Sequence, residues 1–589
     1  MYQGKFMQLN KTVLATTIAL SLGLLTACGG SDSSDSSGTT EPTNSAPTDI
    51  SLSDSTVDEN TAGATVGALS ATDSDAGDSH TFSLTSDQFV IDGTTLKLAD
   101  GVVLDADAAE STEFTLAITA TDGDGATFTK DVTVTVNDIM DRYVFDSKLN
   151  DGESSVTYTG QNARHILIAE LNQYISSTLE AEIDSNELTT KDEVLAKLNY
   201  FYNPDEDTQY PDIAITFIDN SKDGLISELT GYKNLTDKVA GNDATGQHED
   251  WNNGAFAGWG AKGSTTPSAL IDMLFDRLAD NAVAKINGEV RQDVRGNDIS
   301  KVYIDENGVD LAQLIQKFLL MSITYSQSAD DYFGVDTEGK GLTTDNINPA
   351  KDGAAYTNLE HQFDEGFGYF GAARNYLEYS DVEIAGKVTE DEGRADWNGS
   401  HDTDSDGKID LRSEYNFGQS VNAAKRDLGT ADNAMPTDYT MQAMEAFIAG
   451  RKIINDNVGS ALTEAQMTEL ETYAMAGVKA WENAIVATVI HYINDVSADL
   501  APLATGGDSA DFNYENLAKH YSEMKGFALG LQFSEYAVIS DEDFETVHEL
   551  FATQPELTGD VDGYIEDLTE ARDILQASYE LDADNVANW

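Results

Sequence analysis

The chain has 589 residues but only one cysteine, Cys28, so no intramolecular disulfide can hold it together. Basic residues are also scarce, since 34 lysines and arginines face 104 aspartates and glutamates, for a formal net charge of −70. This charge repels a phosphate backbone, and we expect no nucleic-acid partner. The sequence contains no Walker loop, serine nucleophile elbow or HExxH helix, so it offers no clear catalytic residue.

Cys28 follows an apolar segment that is typical of an export signal. Residues 13–25 carry no charge and are too few to cross a bilayer in the mature protein. Leu25-Thr26-Ala27-Cys28 resembles a bacterial lipobox, in which the cysteine is lipidated. This resemblance implies a signal peptide over residues 1–27 and attachment to the bacterial cell envelope through Cys28. Gly29 after the cysteine favours the outer membrane. The sequence does not indicate whether the protein lies on its periplasmic or its external face.

Composition divides the remaining chain into three parts. Residues 28–46 are mostly serine, aspartate, threonine and glycine, which predicts a disordered tether. Residues 47–141 hold short segments of alternating apolar and polar residues, which predicts a small all-β sandwich of about seven strands. Residues 142–589 have apolar residues at helical spacing, which predicts a large all-α helical-bundle domain.

The acidic residues of the β part fall in its loops, where hard oxygen ligands suit calcium. The order of its motifs resembles a bacterial cadherin-like repeat, as in Val57-Asp-Glu59-Asn60, Ala71-Thr-Asp73-Ser-Asp75 and Ala120-Thr-Asp122. The resemblance implies two groups of calcium ligands, one at each pole: Glu59, Asp105, Asp107, Asp138 and Asp141, and then Asp73, Asp75 and Asp122. The alternative is a spacer with weak or empty sites.

The helical part has five long segments with helical periodicity: residues 163–179, 269–286, 311–325, 441–454 and 467–493. The glycine-rich and aromatic connection over residues 251–263 is long, and such loops are often functional. Residues 356–369 and 514–527 align without a gap, with identical Tyr, Asn, Leu, Glu and Gly. This similarity predicts an internal duplication.

A histidine precedes the glutamate in each of these two segments. His361 lies four residues before Glu365, and His520 lies three before Glu523, spacings that place both side chains on one helix face. Such pairs can bind iron or zinc. The alternative is that both glutamates accept hydrogen bonds and lock helices together, since the histidines occupy different columns of the alignment.

The segment Ser154-Ser-Val156-Thr-Tyr158-Thr-Gly160-Gln161-Asn-Ala-Arg164 and the two aligned segments resemble DUF4856, a domain of unestablished activity in bacterial lipoproteins. The resemblance covers nearly all of residues 142–589. His520-x-x-Glu523 is also similar to a motif of imelysin-like proteins, which are helical proteins linked with iron uptake. That similarity implies an iron complex as a ligand.

A separate acidic loop reads Asp402-Thr-Asp404-Ser-Asp406-Gly407-Lys408-Ile409-Asp410. Carboxylates at every second position before a glycine are typical of EF-hand-like calcium loops. The twelfth position is Ser413 and Glu414 comes one residue late, which favours a shorter, dockerin-like loop. Its predicted ligands are Asp402, Asp404, Asp406, Lys408 and Asp410. Residues 219–226 form a poorer version, interpreted as a solvated turn.

These patterns together predict a lipid-anchored, calcium-binding surface protein whose helical domain binds a ligand or metal, as an accessory in iron uptake. The alternative is calcium-dependent cell adhesion or matrix interaction, with a surface protein or polysaccharide as partner. A third hypothesis is metallohydrolase action through His520 and Glu523, but a role without catalysis fits the sequence better.

Overall fold

The computed structural model describes residues 44–589 except 60, 62, 76, 100, 105, 107–110, 138, 139, 244–246 and 508. The predicted signal peptide, Cys28 and most of the predicted tether lie outside the described residues. The chain divides into two compact units, with the boundary between residues 139 and 140. The first unit is built from β-sheets and the second is helical, as the sequence predicts.

The described part of the first unit forms two four-stranded sheets. Its strands are β1 (Asp49–Leu52), β2 (Thr56–Asp58), β3 (Thr65–Thr72), β4 (Thr81–Ser83), β5 (Phe89–Asp92), β6 (Thr95–Leu98), β7 (Glu113–Thr121) and β8 (Thr127–Asn137). The sheet orders are β1-β3-β6-β5 and β2-β8-β7-β4. Strands β2 and β8 pair in parallel, and the other pairs are antiparallel. Leu116, Ile118 and Ala120 of β7 are buried, as the two-residue period of a strand requires.

The second unit contains the α-helices of the described residues. They are α1 (Thr159–Gln173), α2 (Leu179–Asp184), α3 (Lys191–Tyr202), α4 (Ile226–Leu229), α5 (Pro267–Ile286), α6 (Leu311–Leu319), α7 (Asn358–Phe370), α8 (Asp381–Ile384), α9 (Gly418–Leu428), α10 (Tyr439–Asp456), α11 (Glu464–Leu500), α12 (Tyr514–Ala528), α13 (Asp541–Phe551), α14 (Val561–Ser578) and α15 (Ala583–Asn588). The five predicted helical segments fall on α1, α5, α6, α10 and α11.

The long helix α11 is the central element of the helical core. It begins with a capping box in which Thr463 and Gln466 each bond the other's backbone N–H. Helices α10 and α12 pack against it, and its buried residues include Trp481, Ile485 and Val489. Neither α11 nor any other helix of the described residues combines the length and apolar character that crossing a membrane requires.

Two helices continue into wider π-helical turns. Helix α1 leads into Tyr174–Thr178, and α6 leads into Leu320–Tyr325 and then Gln327–Tyr332. The predicted segments 163–179 and 311–325 therefore include turns that are not α-helical. Apolar spacing does not reveal such turns, because both helix types bury one continuous face. Turns of this kind are often found at functional sites.

Candidate metal centre

The acidic loop over residues 402–410 is folded around the carboxylate of Asp402. The backbone N–H of Asp406 donates to Oδ1 of Asp402 and to Oδ1 of Asp404, at 3.1 Å each. The N–H of Gly407 donates to Oδ2 of Asp402 at 2.7 Å. Gly407 has a φ of 83°, which favours glycine and turns the chain sharply.

Glu414 closes this loop from its far end. It is only 3% exposed, and its Oε1 accepts from the N–H of Thr403 at 2.9 Å, while its Oε2 accepts from the N–H of Asp410 at 2.7 Å. One oxygen each of Asp402, Asp404 and Glu414 lie within 4.8 Å of one another. Three carboxylates at this separation suit the large, oxygen-seeking Ca²⁺ ion. We call Asp402, Asp404 and Glu414 the loop triad.

The other predicted loop ligands have different partners. Asp406 accepts from the N–H of Lys408 at 2.8 Å, and Asp410 accepts from the guanidinium of Arg412 at 3.0 Å. In an EF-hand loop the seventh residue supplies its backbone carbonyl oxygen as a ligand. Lys408 is the seventh residue counted from Asp402. Glu414 comes one residue later than the twelve-residue pattern requires. It nevertheless belongs to the loop triad, whereas Asp406 and Asp410 do not.

The poorer acidic loop over residues 219–226 lies directly beside the loop triad. The N–H of Ile409 donates to the carbonyl of Asn220 at 3.0 Å, and the N–H of Lys222 donates to the carbonyl of Ile409 at 2.9 Å. The Lys222 ammonium is 3.1 Å from Asp406 and 3.3 Å from Asp404. These two carboxylates raise the pKa of Lys222. Asp223 of the second loop pairs with Arg412 at 2.6 Å, so this carboxylate already has a counter-charge.

A second group of carboxylates lies at one end of the β-sandwich. Oxygens of Asp73, Asp78 and Asp122 come within 4.8 Å of one another. Asn44 donates to Asp122 at 2.9 Å, and this hydrogen bond is the main cause of the lowered pKa of Asp122. The N–H of Asp75, and then the ring of His80, lower the pKa of Asp73. We call Asp73, Asp78 and Asp122 the pole triad.

Three of the other predicted sandwich ligands lie in the described part of the chain, and none of them is a member of the pole triad. Asp75 accepts from the N–H of Ser45 at 2.6 Å, and Asp78 stands in the triad where the sequence predicted Asp75. Glu59 is 1% exposed and accepts from the N–H of Ala106. Asp141 belongs to the helical unit, where it is partly buried. Asp105, Asp107 and Asp138 lie outside the described residues.

His361 and Glu365 lie near each other on α7, but both have other partners. His361 Nε2 is 3.9 Å from Glu365 Oε1, which accepts from Gln161 at 2.9 Å. The other oxygen of Glu365 accepts from Gln362 at 3.2 Å, and His361 Nδ1 is 3.3 Å from the carbonyl of Thr157. These contacts tie α7 to α1 and to the residues just before it.

His520 and Glu523 contact different helices. His520 Nδ1 is 2.7 Å from Asp499 of α11, whereas Glu523 Oε1 is 3.4 Å from the ammonium of Lys317 on α6. Burial opposes a charge on His520, but the hydrogen bond and charge of Asp499 outweigh it and raise the pKa. Within the described part of the chain, the two groups of three potential ligand residues contain carboxylates and no histidine.

The fold and these sites define a protein with a β-sandwich, a large helical unit and a carboxylate-rich loop. Residues 141–382 match the family model described as a domain of unknown function, DUF4856. This match confirms the predicted resemblance over those residues, which make up less than half of the chain and do not include the loop triad. No curated protein and no solved structure matches the chain.

Proposed function

We propose that this chain is a calcium-binding protein of the bacterial cell envelope, lipid-anchored through Cys28, that binds a ligand through its helical unit without catalysing a reaction. The loop triad is the observation that supports this proposal most strongly. Glu414 is 3% exposed and reaches back across the loop to Asp402 and Asp404. Three acidic groups so close together repel one another unless a cation lies between them.

Calcium in the loop triad has a structural consequence for the helical unit. The loop is joined to residues 219–226 through Ile409, and the carbonyl of Leu411, directly after the loop, accepts from Asn162 of α1 at 2.8 Å. A bound divalent ion would offset most of the negative charge of the loop triad and fix these contacts, which would hold the surface of the unit in a single conformation. Calcium is preferred to zinc or iron here because the ligand atoms are hard oxygens only.

Isothermal titration of calcium tests this proposal. Glu414→Gln removes one charge but keeps the length of the side chain, so we expect it to weaken calcium binding by about tenfold or more. Glu390→Gln removes the charge of an exposed glutamate elsewhere in the helical unit and should leave the affinity unchanged. Equal affinity of the Glu414→Gln and Glu390→Gln variants would refute the proposed site.

The pole triad favours a second candidate function, calcium-dependent adhesion. Asp73, Asp78 and Asp122 lie at one end of a two-sheet sandwich, and the sequence motifs there resemble a cadherin-like repeat. In that case calcium would stiffen the sandwich for contact with a surface protein or polysaccharide. Cells with and without the protein should then attach differently with calcium and equally after chelation. A difference that persists after chelation contradicts the adhesion hypothesis.

Capture of iron or zinc through His361, Glu365, His520 and Glu523 remains a further hypothesis. Their observed partners, such as Gln161 for Glu365 and Asp499 for His520, also fit the alternative that they hold helices together. Elemental mass spectrometry of the protein and of the Glu365→Ala, Glu523→Ala double variant distinguishes these alternatives. Iron or zinc that the double variant loses supports capture, whereas calcium alone in both proteins supports a structural role.

A further inference from the structure

A cavity of about 310 Å³ lies in the helical unit, away from the loop triad and from both histidine pairs. Two segments form it: residues 248–262 of the long connection between α4 and α5, and residues 531–545 that lead into α13. The first overlaps the glycine-rich and aromatic connection that the sequence marks as functional. The volume falls in the range of small-molecule sites.

Two polar groups in the wall of this cavity lack partners. Trp251 is 3% exposed and lines the cavity, yet its indole N–H has no acceptor among the described residues. Oε1 of Glu535, also in the wall, is buried and has no hydrogen-bond donor within the described part of the chain. Buried donors and acceptors are nearly always satisfied in folded proteins, so each of these atoms calls for a partner. A ligand that meets both must offer an acceptor to Trp251 and a donor to Glu535.

The charges around the cavity favour a cationic donor. Lys262 is already paired with Glu545 at 3.0 Å and with Asp541 at 3.5 Å. His248 is held by Asp330, a fully buried residue of the second π-helical segment, at 2.8 Å. Both basic side chains of the wall are therefore paired with carboxylates other than Glu535. Burial raises the pKa of Glu535, and a hydrogen bond from Tyr536 and the charge of His248 offset this only in part.

Aromatic rings complete the wall. Trp251 packs edge-to-face with His248 and with Phe533, at centroid distances of 5.4 Å and 5.1 Å, which fixes its indole in place. Phe544 lines the same cavity. Aromatic faces attract an ammonium group but not a neutral hydroxyl, so they add to the preference for a cation.

We infer that this cavity binds a small amine that also carries hydroxyl or carbonyl oxygens, with its ammonium group at Glu535 and an oxygen at the indole N–H of Trp251. Amino alcohols and amino sugars belong to this class. The inference specifies the ligand of the proposed binding role, but it does not depend on calcium, since the loop triad shares no residue with the cavity.

The test compares two matched pairs of probes by isothermal titration calorimetry, at a pH where the amines are charged. D-Glucosamine and D-glucose differ in one amino group, and ethanolamine and ethylene glycol form a smaller pair. We expect at least one amine to bind about tenfold or more tightly than its uncharged counterpart, because Glu535 accepts from a charged donor. If neither amine binds more tightly than its counterpart, the inference is wrong.

Variants then place the site. Glu535→Gln should weaken amine binding by about tenfold or more, and Glu566→Gln, an exposed substitution on α14, should not change it. Trp251→Phe should weaken binding of the amine severalfold through loss of the N–H donor. Unfolding temperatures and calcium titrations of the same variants show that the fold and the loop triad are intact. Unchanged amine affinity in Glu535→Gln would overturn the assignment while leaving the calcium proposal untouched.

Discussion

Arg451 on α10 joins three parts of the helical unit at a point that water does not reach. Its side chain is fully buried and donates to Asp364 at 2.8 Å and to Glu360 at 3.0 Å, both on α7. It also donates to Ser155 at 2.8 Å, in the segment before α1. Tyr143 donates to the same oxygen of Asp364 at 2.9 Å. One cation thus contacts two carboxylates in the core.

Replacing Arg451 should therefore be costly. Arg451→Met leaves Glu360 and Asp364 buried without a counter-charge, and we expect the free energy of unfolding to fall by about 3–5 kcal/mol. Lys452→Met is the matched control, because Lys452 is half exposed and pairs with Asp456 on the same helix. The control should change stability by less than about 1 kcal/mol. Urea denaturation measures both, and similar losses would show that the buried network is dispensable.

Asp310 gives the helical unit a pH-dependent stability. It is the N-cap of α6, where its side chain accepts from the N–H of Gln313 at 3.0 Å. Burial, opposed by hydrogen bonding to Gln313 and assisted by the charge of Glu523, raises its pKa from 3.8 to about 7. The folded state then holds a proton that the unfolded state has lost, so stability is lost as the pH rises from about 4 to about 7.

Asp310→Asn should remove the loss of stability between about pH 4 and about pH 7, because asparagine caps a helix equally well and carries no charge. Above pH 7 the variant should be more stable than the parent by roughly 1–3 kcal/mol, and near pH 4 the two should be similar. Asp560→Asn, at the exposed N-cap of α14, is the matched control for replacing an N-cap aspartate by asparagine. Chemical denaturation across this pH range checks both, and a constant difference would contradict the role of Asp310.

At the residue scale, the sequence indicates which side chains are candidate metal ligands. It does not indicate as readily which of these side chains contact one another in the fold. Asp402 and Asp404 follow from the alternating carboxylates before Gly407, but Glu414 falls outside the twelve-residue pattern. The only sequence feature that pointed to Glu414 as a ligand was its position one residue after the end of that pattern. The partner of His520, Asp499, lies on another helix 21 residues away, and no spacing rule connects them. Such pairs depend on how helices pack.

At the scale of elements, the periodicity of apolar residues is a reliable guide. Each of the five predicted helical segments contains a helix. Apolar residues that recur every 3.6 residues can be buried together on one face of an α-helix but not on one face of a strand. Strands β7 and β8 show the alternation of apolar and polar residues that predicts strands in residues 47–141. The π-helical turns and the pairing order of the sheets could not be predicted, because they depend on contacts between distant segments.

Two glycines in corresponding columns of the aligned segments have the same packing role. A Cβ on Gly368 would lie 2.6 Å from Cβ of Tyr158, and a Cβ on Gly526 would lie 2.6 Å from Cβ of Lys317 on α6. Each position therefore lets another segment approach the helix closely. The helices begin in different columns, at Asn358 and at Tyr514, so the duplication itself stays a prediction.

Alanine at either position should be destabilising. Gly368→Ala and Gly526→Ala each insert a methyl group where no space exists, and we expect losses of about 1–3 kcal/mol in the free energy of unfolding. Gly231→Ala is the control, since a Cβ there meets no atom within 4 Å. Its effect should stay within about 0.5 kcal/mol. Denaturation curves that do not separate the three variants would contradict the close packing.

At the scale of the whole molecule, the two units have separate hydrophobic cores. Residues of the sandwich core, such as Leu96 and Val134, form one buried cluster, and those of the helical unit, such as Leu314 and Trp481, form another. The chain also carries a net charge of −70, which opposes compact folding. Divalent cations should relieve this repulsion wherever carboxylates converge.

Separate cores predict separate unfolding transitions. Differential scanning calorimetry of the chain should resolve two transitions, and calcium should raise the temperature of the helical transition through the loop triad. Magnesium at the same concentration is the control for general charge screening and should have a smaller effect, since it demands a stricter geometry. A single transition that calcium and magnesium shift equally would contradict specific binding.

The most direct test of the central claim is a crystal structure of the protein grown with calcium, with anomalous scattering used to identify the ion. We predict one calcium ion about 2.3–2.6 Å from an oxygen of each of Asp402, Asp404 and Glu414. A loop triad that contains only water or the Lys222 ammonium at saturating calcium would contradict the account.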